Sequence, residues 1–323
     1  MDPIPDIPLA AIEAARKRIA GAAIRTPLIP FEGDDGPGEV WLKLECLQPI
    51  GSFKIRGAAN ALALAPRESL ADGVYTASAG NMAQGVALAA RQRGVACRVI
   101  VPDTAPRTKV DAIEALGGTV VPLPFDAWWT TIMEHGHPDE SGFFVHPVSD
   151  PAVIAGNGTV GLEILEDLPV VDAVVVPYGG GGLSCGIASA LAARAPDVPV
   201  YAAEVDTAAP FIASLEAGRA VSVERTPSFV DGIGGSSVLE EMWPLAHSLL
   251  AGSLVQSLDA VCDSIRDLAT RTHVVAEGAA GAAVAAARSW AWKHEGRVVA
   301  VVSGGNIDMD VLATILDGGV PGR

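Results

Sequence analysis

The sequence predicts an α/β protein built from parallel strands joined by crossover helices. Short β-branched runs alternate along its 323 residues with runs rich in alanine and leucine, which is typical of strand–helix–strand units. Three strand-to-helix junctions consist of small residues, as expected where a ligand approaches the carboxyl ends of parallel strands. The chain is roughly twice the usual size of one domain, so we expect two packed lobes or one large α/β domain.

The order of the predicted elements follows from these runs. Strands are predicted at residues 74–76, 98–101, 119–123, 173–176, 200–203 and 298–302. Helices are predicted at residues 83–93, 109–116, 187–194, 264–272 and 282–292. The compact strand–helix–strand–helix–strand series within residues 76–121 is our candidate for a smaller lobe.

Composition excludes several classes of partner. With 38 acidic and 22 basic side chains the net charge is −16, which repels a nucleic-acid backbone. Half of the residues are apolar, yet no uninterrupted apolar run reaches the roughly 18–20 residues that a spanning helix needs. The first residues lack the basic-then-apolar pattern of a secretory signal. We therefore expect no nucleic-acid partner, no membrane partner and a cytoplasmic location.

Cysteine and histidine give no metal signature. The cysteines at 46, 97, 185 and 262 are scattered without a CxxC pair, so we expect free, mostly buried thiols. His135 and His137 stand in a polar run without a third ligand at suitable spacing, so a solvated loop is the better interpretation. We therefore expect no metal site among these residues.

The first candidate site centres on Lys54. A strand containing Lys43 turns at Pro49 and Gly51 and enters a helix with Ser52 as a plausible N-cap. Lys54 then lies in the first helical turn, where the helix dipole disfavours an ammonium and lowers its pKa. A neutral amine is what Schiff-base chemistry requires. From position alone, a surface lysine at a helix start remains the alternative.

The second candidate is a run of four glycines, Gly179, Gly180, Gly181 and Gly182, after a buried strand. Glycines let backbone N–H groups converge on an anion at a helix N-terminus, so a phosphate is the expected guest. The run lacks the Lys-Ser/Thr of a Walker A loop and the third glycine of the dinucleotide pattern.

An overlapping pattern suggests a different chemistry. Gly182, Ser184 and Gly186 fit G-x-S-x-G, so Ser184 is an alternative serine-hydrolase nucleophile, with Asp231 or Asp259 and His273 as formal partners. The serine falls inside the predicted helix rather than at the apex of the turn, which disfavours this interpretation.

Two further junctions resemble ligand loops. Ser78, Ala79, Gly80, Asn81 and Met82 open a helix whose N–H groups suit a carboxylate, and Asn81 offers both a donor and an acceptor. Ser303 presents a hydroxyl at the end of the last strand. Alone, the first is equally a helix cap and the second a turn.

In combination these segments resemble the threonine and serine dehydratases, fold type II enzymes that depend on pyridoxal phosphate (PLP) and belong to the tryptophan-synthase-β-like family. The matching segments run in order along most of the chain: 43–57, 78–87, 101–102 with Lys109, 146–147, 154–159, 179–182, 231–233 and 303–306.

The resemblance implies an α/β fold with two open, twisted, mostly parallel sheets flanked by helices. A large PLP-binding domain would contain residues 1–72 and 149–323, and a small domain that closes over substrate would contain residues 73–148. It also implies a homodimer and a small amino-acid substrate.

The resemblance also assigns roles to residues. Lys54 would carry PLP and move the α-proton, with Phe53 packed against the cofactor ring. Asn81 would bond the 3′-oxygen of the ring, Ser303 would bond the ring nitrogen, and the amides of residues 179–182 would hold the phosphate. The loop from Ser78 to Met82, including Ala79 and Gly80, would bind the substrate carboxylate.

The implied reaction is β-elimination from a hydroxy amino acid such as threonine, serine or phenylserine, giving a 2-oxo acid and ammonia. A racemase or a β-replacement enzyme of the same fold is the alternative. Related racemases carry a serine where this chain has Ala79, which supplies no proton, so racemisation is disfavoured. Met82 replaces the usual histidine and suggests a bulkier or aromatic β-substituent.

Family members often bind a divalent metal. Glu204 and the carbonyl of Ala208 match two of its ligands, but the third acidic position is Pro210 here. We therefore expect the divalent site to be weakened or absent.

Overall fold

The computed structural model describes residues 2–34 and 36–322, which fold around two sheets. The strands are β1 (Leu28–Phe31), β2 (Gly38–Lys43), β3 (Val74–Ala77), β4 (Cys97–Pro102), β5 (Gly118–Leu123), β6 (Phe143–Phe144), β7 (Ala173–Pro177), β8 (Val200–Val205), β9 (Gly252–Gln256) and β10 (Gly296–Val301). The α-helices are α1 (Leu9–Arg18), α2 (Lys54–Leu64), α3 (Asn81–Arg93), α4 (Arg107–Ala115), α5 (Phe125–Met133), α6 (Pro151–Asp167), α7 (Gly182–Arg194), α8 (Pro210–Ala217), α9 (Trp243–Leu249), α10 (Leu258–Asp267), α11 (Gly278–Ala291) and α12 (Met309–Leu316). Short 3-10 turns occur at Glu45–Leu47, Glu68–Leu70 and Asp231–Ile233.

The larger sheet has the strand order β1-β2-β10-β7-β8-β9. Only its β1–β2 pair is antiparallel, so the sheet is mixed. The smaller sheet has the order β5-β4-β3-β6 and is parallel throughout. The predicted α/β class with two open, mostly parallel sheets is therefore confirmed.

Both faces of the larger sheet are buried, which explains its apolar strands. Val174 and Val176 of β7 pack with α1, α6 and α7, whereas Ala173 and Val175 of the same strand pack with the alanines of α11. Successive side chains of a strand point to opposite faces, so a strand covered on both sides is apolar at every position.

The smaller sheet is covered by α2 and α3 on one face and by α5 on the other. Its strands come from residues 74–144, whereas those of the larger sheet come from residues 28–43 and 173–301. The bounds of the two domains stay a prediction, because α2 packs against both α3 and α6.

All six predicted strands and all five predicted helices are present within a few residues of their expected bounds. The largest difference concerns the helix predicted at residues 264–272. α10 begins at Leu258 because the Ser257 hydroxyl accepts a hydrogen bond from the Ala260 N–H, and a π-helix, Leu268–Thr272, follows it. The spacing of apolar residues carries no signal for this cap, so the predicted helix began too late in the sequence.

All four cysteines are buried thiols outside any disulfide, as expected. No helix in the described part of the chain is long and apolar enough to cross a membrane.

Candidate active site

A cavity of about 960 Å³ lies where the two sheets meet. Its lining includes the residues that follow β3, β7 and β10, together with the first residues of α2 and α3. The carboxyl ends of parallel strands are the usual location of ligands in α/β proteins. All three small-residue junctions predicted from the sequence therefore face one crevice.

Lys54 reaches this cavity from the first position of α2. Its Nζ donates a hydrogen bond to the Pro147 carbonyl at 2.9 Å and lies 5.2 Å from the centre of the Phe53 ring. Burial lowers the pKa of Lys54 to about 8, although the negative charge of Glu277 opposes this effect. A much larger fraction of this amine is therefore neutral near physiological pH than of an ordinary lysine.

The start of α2 differs from the prediction that Ser52 is its N-cap. The cap residue is Phe53 and no side chain bonds the first turn. Ser52 instead forms a β-bridge with Gly304, and the Phe53 N–H donates to the Ser303 carbonyl at 3.0 Å. The loop before α2 is thus bound to the loop after β10, which places Lys54 beside Ser303.

The four glycines form a cradle at the N-terminus of α7. Gly181 has a φ of +94°, and a Cβ at Gly180 would lie 2.5 Å from a Val148 methyl carbon, so side chains are excluded from these positions. None of the described residues accepts a hydrogen bond from the N–H groups of Gly179, Gly180, Gly181 or Gly182. Unpaired amides that line a cavity at a helix N-terminus fit a phosphate.

Asn81 connects the smaller sheet to the larger one. Its side-chain amide donates to both carboxylate oxygens of Glu277 at 3.0 Å and accepts a hydrogen bond from Asn306 at 2.7 Å. Burial raises the pKa of Glu277 to about 7, an effect that the hydrogen bond from Asn81 opposes and the charge of Asp231 reinforces. Glu277 has no local signal in the sequence, because its partner Asn81 lies 196 positions away.

The predicted carboxylate loop lies at the same cavity. The Ser78 hydroxyl accepts the Gly80 N–H at 3.2 Å and so shapes the turn before α3. The N–H groups of Ala79, Asn81 and Met82 have no acceptor within residues 2–34 and 36–322. Donors of this kind suit a carboxylate, and Met82 extends into the core beneath them with only 1% of its surface exposed.

Ser303 follows β10 and is buried at the cavity wall. Its hydroxyl forms no hydrogen bond with any residue that the structure describes, so its donor and acceptor are available to a ligand. Because this group is neutral, it does not fix a positive charge on a ring nitrogen as a carboxylate would.

Ser184 does not lie in a nucleophile elbow. It is the third residue of α7, is fully buried and donates to the Gly181 carbonyl at 3.1 Å. No hydrogen bond joins it to His273 among the described residues. Because the Ser184 hydroxyl donates its proton to a backbone carbonyl, no general base activates it. The geometry therefore disfavours Ser184 as the nucleophile of a serine hydrolase.

Glu204 is occupied by protein donors. Its carboxylate accepts the N–H groups of Phe211 and Ile212 at 2.7 and 2.9 Å and the Ser253 hydroxyl at 2.6 Å, so it caps the N-terminus of α8. No group of three or more metal-binding side chains occurs in the described ranges.

An amine of lowered pKa, an anion cradle and a neutral hydroxyl that no described residue bonds lie in one crevice between two α/β sheets, and together they define a class. They fit an enzyme that holds a phosphorylated carbonyl cofactor by a lysine. The donor set matches PLP, whose aldehyde, phosphate and ring nitrogen require these three kinds of group.

Comparisons with known proteins agree. The family model described as pyridoxal-phosphate dependent enzyme matches residues 19–304. The L-threonine ammonia-lyase of Thermotoga maritima is 40% identical over 285 residues, which are 88% of this chain and 71% of that protein. The biosynthetic L-threonine dehydratase of Burkholderia multivorans is 40% identical over 281 residues, 84% of this chain and 55% of that protein.

Solved structures give the same result. The processed threonine deaminase isoform 2 of Solanum lycopersicum superposes with a TM-score of 0.87 at 33% identity, covering 96% of this chain and 86% of that one. Maize serine racemase superposes with a TM-score of 0.86 at 29% identity, covering 97% and 98%. The chain belongs to the family of pyridoxal-phosphate dependent enzymes and has the fold type II architecture.

Proposed function

We propose that this PLP-dependent enzyme is an ammonia-lyase that dehydrates and deaminates a β-hydroxy amino acid to a 2-oxo acid and ammonia. The observation that carries the proposal is the Lys54 amine, whose lowered pKa and position beside the glycine cradle suit proton transfer next to a bound phosphate. The names of the threonine ammonia-lyase and dehydratase relatives support the same reaction.

Some residues of the crevice would bind the cofactor and others would bind the substrate. PLP, when bound, supplies an electron sink that acidifies the hydrogen on the substrate α-carbon. The amides of Gly179 to Gly182 would hold its phosphate, Phe53 would pack on its ring, and Asn81 and Ser303 would bond its polar edge. Asn81 keeps a fixed orientation because Glu277 and Asn306 hold the two ends of its side-chain amide.

Substrate binding and proton transfer fall to two further groups. The free N–H groups of Ala79, Asn81 and Met82 would bind the substrate carboxylate. The Lys54 Nζ would take the α-proton, which requires a neutral amine, and the pKa lowered by burial increases the neutral fraction near physiological pH. A neutral Ser303 limits the electron withdrawal, which favours loss of the β-hydroxyl over prolonged carbanion chemistry.

Racemisation needs a second proton donor on the opposite face of the α-carbon. Ala79 lines the cavity at that loop, and its side chain carries no exchangeable proton. Elimination is therefore the proposed reaction, although a serine racemase is among the structural relatives.

The proposal is tested by incubating the holoenzyme with L-threonine, L-serine and L-phenylserine. We expect 2-oxo acid and ammonia in equal amounts. Chiral analysis of the remaining amino acid distinguishes the alternatives: accumulation of the D-enantiomer without oxo acid would replace the lyase with a racemase.

Three features stay predictions from the sequence. The cytoplasmic location is the expectation stated from the sequence, and the homodimer follows from the family resemblance. The division into residues 1–72 with 149–323 and residues 73–148 is a proposal about which part of the chain moves as one unit. Light scattering measures the oligomeric state. Limited proteolysis with and without substrate tests whether the smaller segment closes as one unit.

A further inference from the structure

Three aromatic side chains of α5 line the cavity that contains Lys54: Phe125, Trp128 and Trp129. Their rings contact in series, with centres 5.4 Å apart for Phe125 and Trp128 and 6.1 Å apart for Trp128 and Trp129. We call this surface the aromatic wall. Phe125 and Trp129 are 54% and 39% exposed. Large apolar side chains left exposed together in a cavity are typical of a binding surface rather than of a core.

The aromatic wall stands next to the predicted carboxylate loop. α5 packs against β3 and β4, and Trp128 packs on a cluster that includes Tyr75 and Ala77 of β3. β3 leads directly into Ser78 and the loop that opens α3. A substrate whose carboxylate is bound by that loop therefore has α5 as a neighbour.

The rest of the lining is mixed. The side chains of Ala79 and Val148 carry no charge or hydrogen-bonding group. The polar or charged members of the lining include Gln84, Thr104, Thr108, Arg225 and Asp308. Three further charged groups of the lining already have partners, because Lys109 is paired with Asp231 and Glu277 accepts from Asn81. The aromatic wall itself carries no charged group, so an uncharged, large substituent fits it better than a hydroxymethyl group or a carboxylate does.

We propose that the aromatic wall binds the β-substituent of the substrate, and that the substrate class is therefore β-hydroxy amino acids with an aryl group on Cβ. This inference rests on the proposed lyase reaction. L-phenylserine is the simplest member of the class, and its ring would pack against Trp128 and Phe125. Threonine fills the same position with a methyl group and leaves most of the wall uncovered.

The test compares kcat/KM of the holoenzyme for L-phenylserine, L-threonine, L-serine and β-hydroxyaspartate. We expect phenylserine to exceed threonine by about tenfold or more, because a buried aromatic ring contributes far more apolar contact than a methyl group. Phe125→Ala and Trp128→Leu should each lower the phenylserine-to-threonine ratio by about tenfold. Phe125 is mostly exposed, so its variant keeps the test valid where the loss of Trp128 disturbs folding.

Trp292→Leu is the matched control. Trp292 is 58% exposed, follows the end of α11 and does not line the cavity. This variant should leave the ratio unchanged. A second readout needs no turnover of the aryl compound: L-phenylalanine, which lacks the β-hydroxyl, should inhibit threonine turnover about tenfold more tightly than L-2-aminobutyrate, and Phe125→Ala should remove that preference.

The outcomes separate the two proposals. If no substrate releases oxo acid, the lyase reaction is wrong. If threonine or β-hydroxyaspartate is turned over faster than phenylserine, the lyase stands and the aryl specificity is overturned. If Phe125→Ala and Trp129→Ala change the oligomeric state in light scattering but not the substrate ratio, the aromatic wall is a subunit interface and the proposal is likewise overturned.

Discussion

Lys54 and Arg56 lie two residues apart in α2 and are both cationic, yet their surroundings differ completely. Arg56 is 1% exposed and bonds the carboxylates of Glu45 and Glu163, each at 2.7 Å, and the Thr159 hydroxyl at 3.0 Å. Lys54 has only the Pro147 carbonyl as an acceptor in the described structure. Burial opposes both charges, but only Arg56 has carboxylates close enough to raise its pKa above the ordinary value.

Two buried carboxylates repeat the contrast. Burial alone would raise the pKa of Glu45, but the charge and hydrogen bonds of Arg56 lower it below the ordinary value. Among the residues that the structure describes, Glu277 has only the neutral Asn81 amide within bonding distance, and burial raises its pKa to about 7. A buried group that is fully paired stays charged and stabilises the fold. A buried group that is incompletely paired has a pKa nearer the pH of the solution, so it can gain and lose a proton during a reaction.

Replacement of Lys54 should separate activity from stability most sharply. We expect Lys54→Ala to lose at least about 10³-fold in kcat, because the variant lacks the group that carries PLP and moves the α-proton. The apoprotein should remain as stable as wild type to thermal unfolding, since the removed amine has no charged partner at bonding distance. Oxo-acid release and the visible band of the cofactor measure the first effect, and circular dichroism measures the second.

The matched control for this variant is Lys293→Ala, which removes an exposed lysine after α11. It should retain both activity and the cofactor band. Oxo-acid production by Lys54→Ala at more than about a tenth of the wild-type rate would contradict the role of Lys54.

Arg56→Met should show the opposite behaviour. It leaves the carboxylate of Glu45 buried without its cation and should lower the free energy of unfolding by about 3–5 kcal/mol. Urea unfolding of the apoprotein at neutral pH measures the loss. The double variant Arg56→Met with Glu45→Gln should recover part of it, because the uncompensated charge is gone. If the free energy of unfolding of Arg56→Met is within about 1 kcal/mol of the wild-type value, the buried ion pairs contribute little to stability.

Much of the fold was predictable because its signals are local. The apolar runs of β7 and β10 and the alanine runs of α11 follow from burial on both faces of a parallel sheet, which the pattern of residues expresses directly. The edge strands β1, β6 and β9 were missed. β6 has two residues, and β1 and β9 are only partly buried, so none of them has a strong apolar pattern.

The parts of the site that belong to sequence motifs could be predicted. The parts that depend on contacts between residues distant in the sequence could not. The cradle and Lys54 are visible in the sequence. Glu277 meets Asn81 across 196 positions, and Ser52 pairs with Gly304, so neither arrangement has a local signal. The sequence does not show that Trp128 and Trp129 line the cavity, because their place there depends on α5 covering the end of β3.

The two carboxylates should respond to pH in opposite directions. Between the ordinary value of 4.5 and the folded value of about 7, native Glu277 retains a proton that the unfolded chain has released, so wild-type stability falls as pH rises. Glu277→Gln removes this loss, and the variant should gain up to about 3 kcal/mol relative to wild type as the pH rises from 4.5 to 7.

Glu45→Gln provides the comparison. The folded pKa of Glu45 is lowered, so its stabilisation is present above pH 4.5 and is lost as the pH falls further. The advantage of wild type over Glu45→Gln should therefore shrink in acid. Urea titrations of both apoproteins at several pH values measure the slopes, and slopes of the same sign would contradict the assigned pKa directions.

The smallest expected effect joins Lys54 to Glu277. The rate at which apoprotein captures PLP, followed by the visible band, should rise about tenfold per pH unit and level off near pH 8, because only the neutral Lys54 amine reacts. Glu277→Gln should move this midpoint to lower pH, since the lost carboxylate charge favoured the ammonium. A midpoint near 10.5, the ordinary lysine value, would mean that the amine is solvated like a surface lysine and that the contrast with Arg56 is not electrostatic.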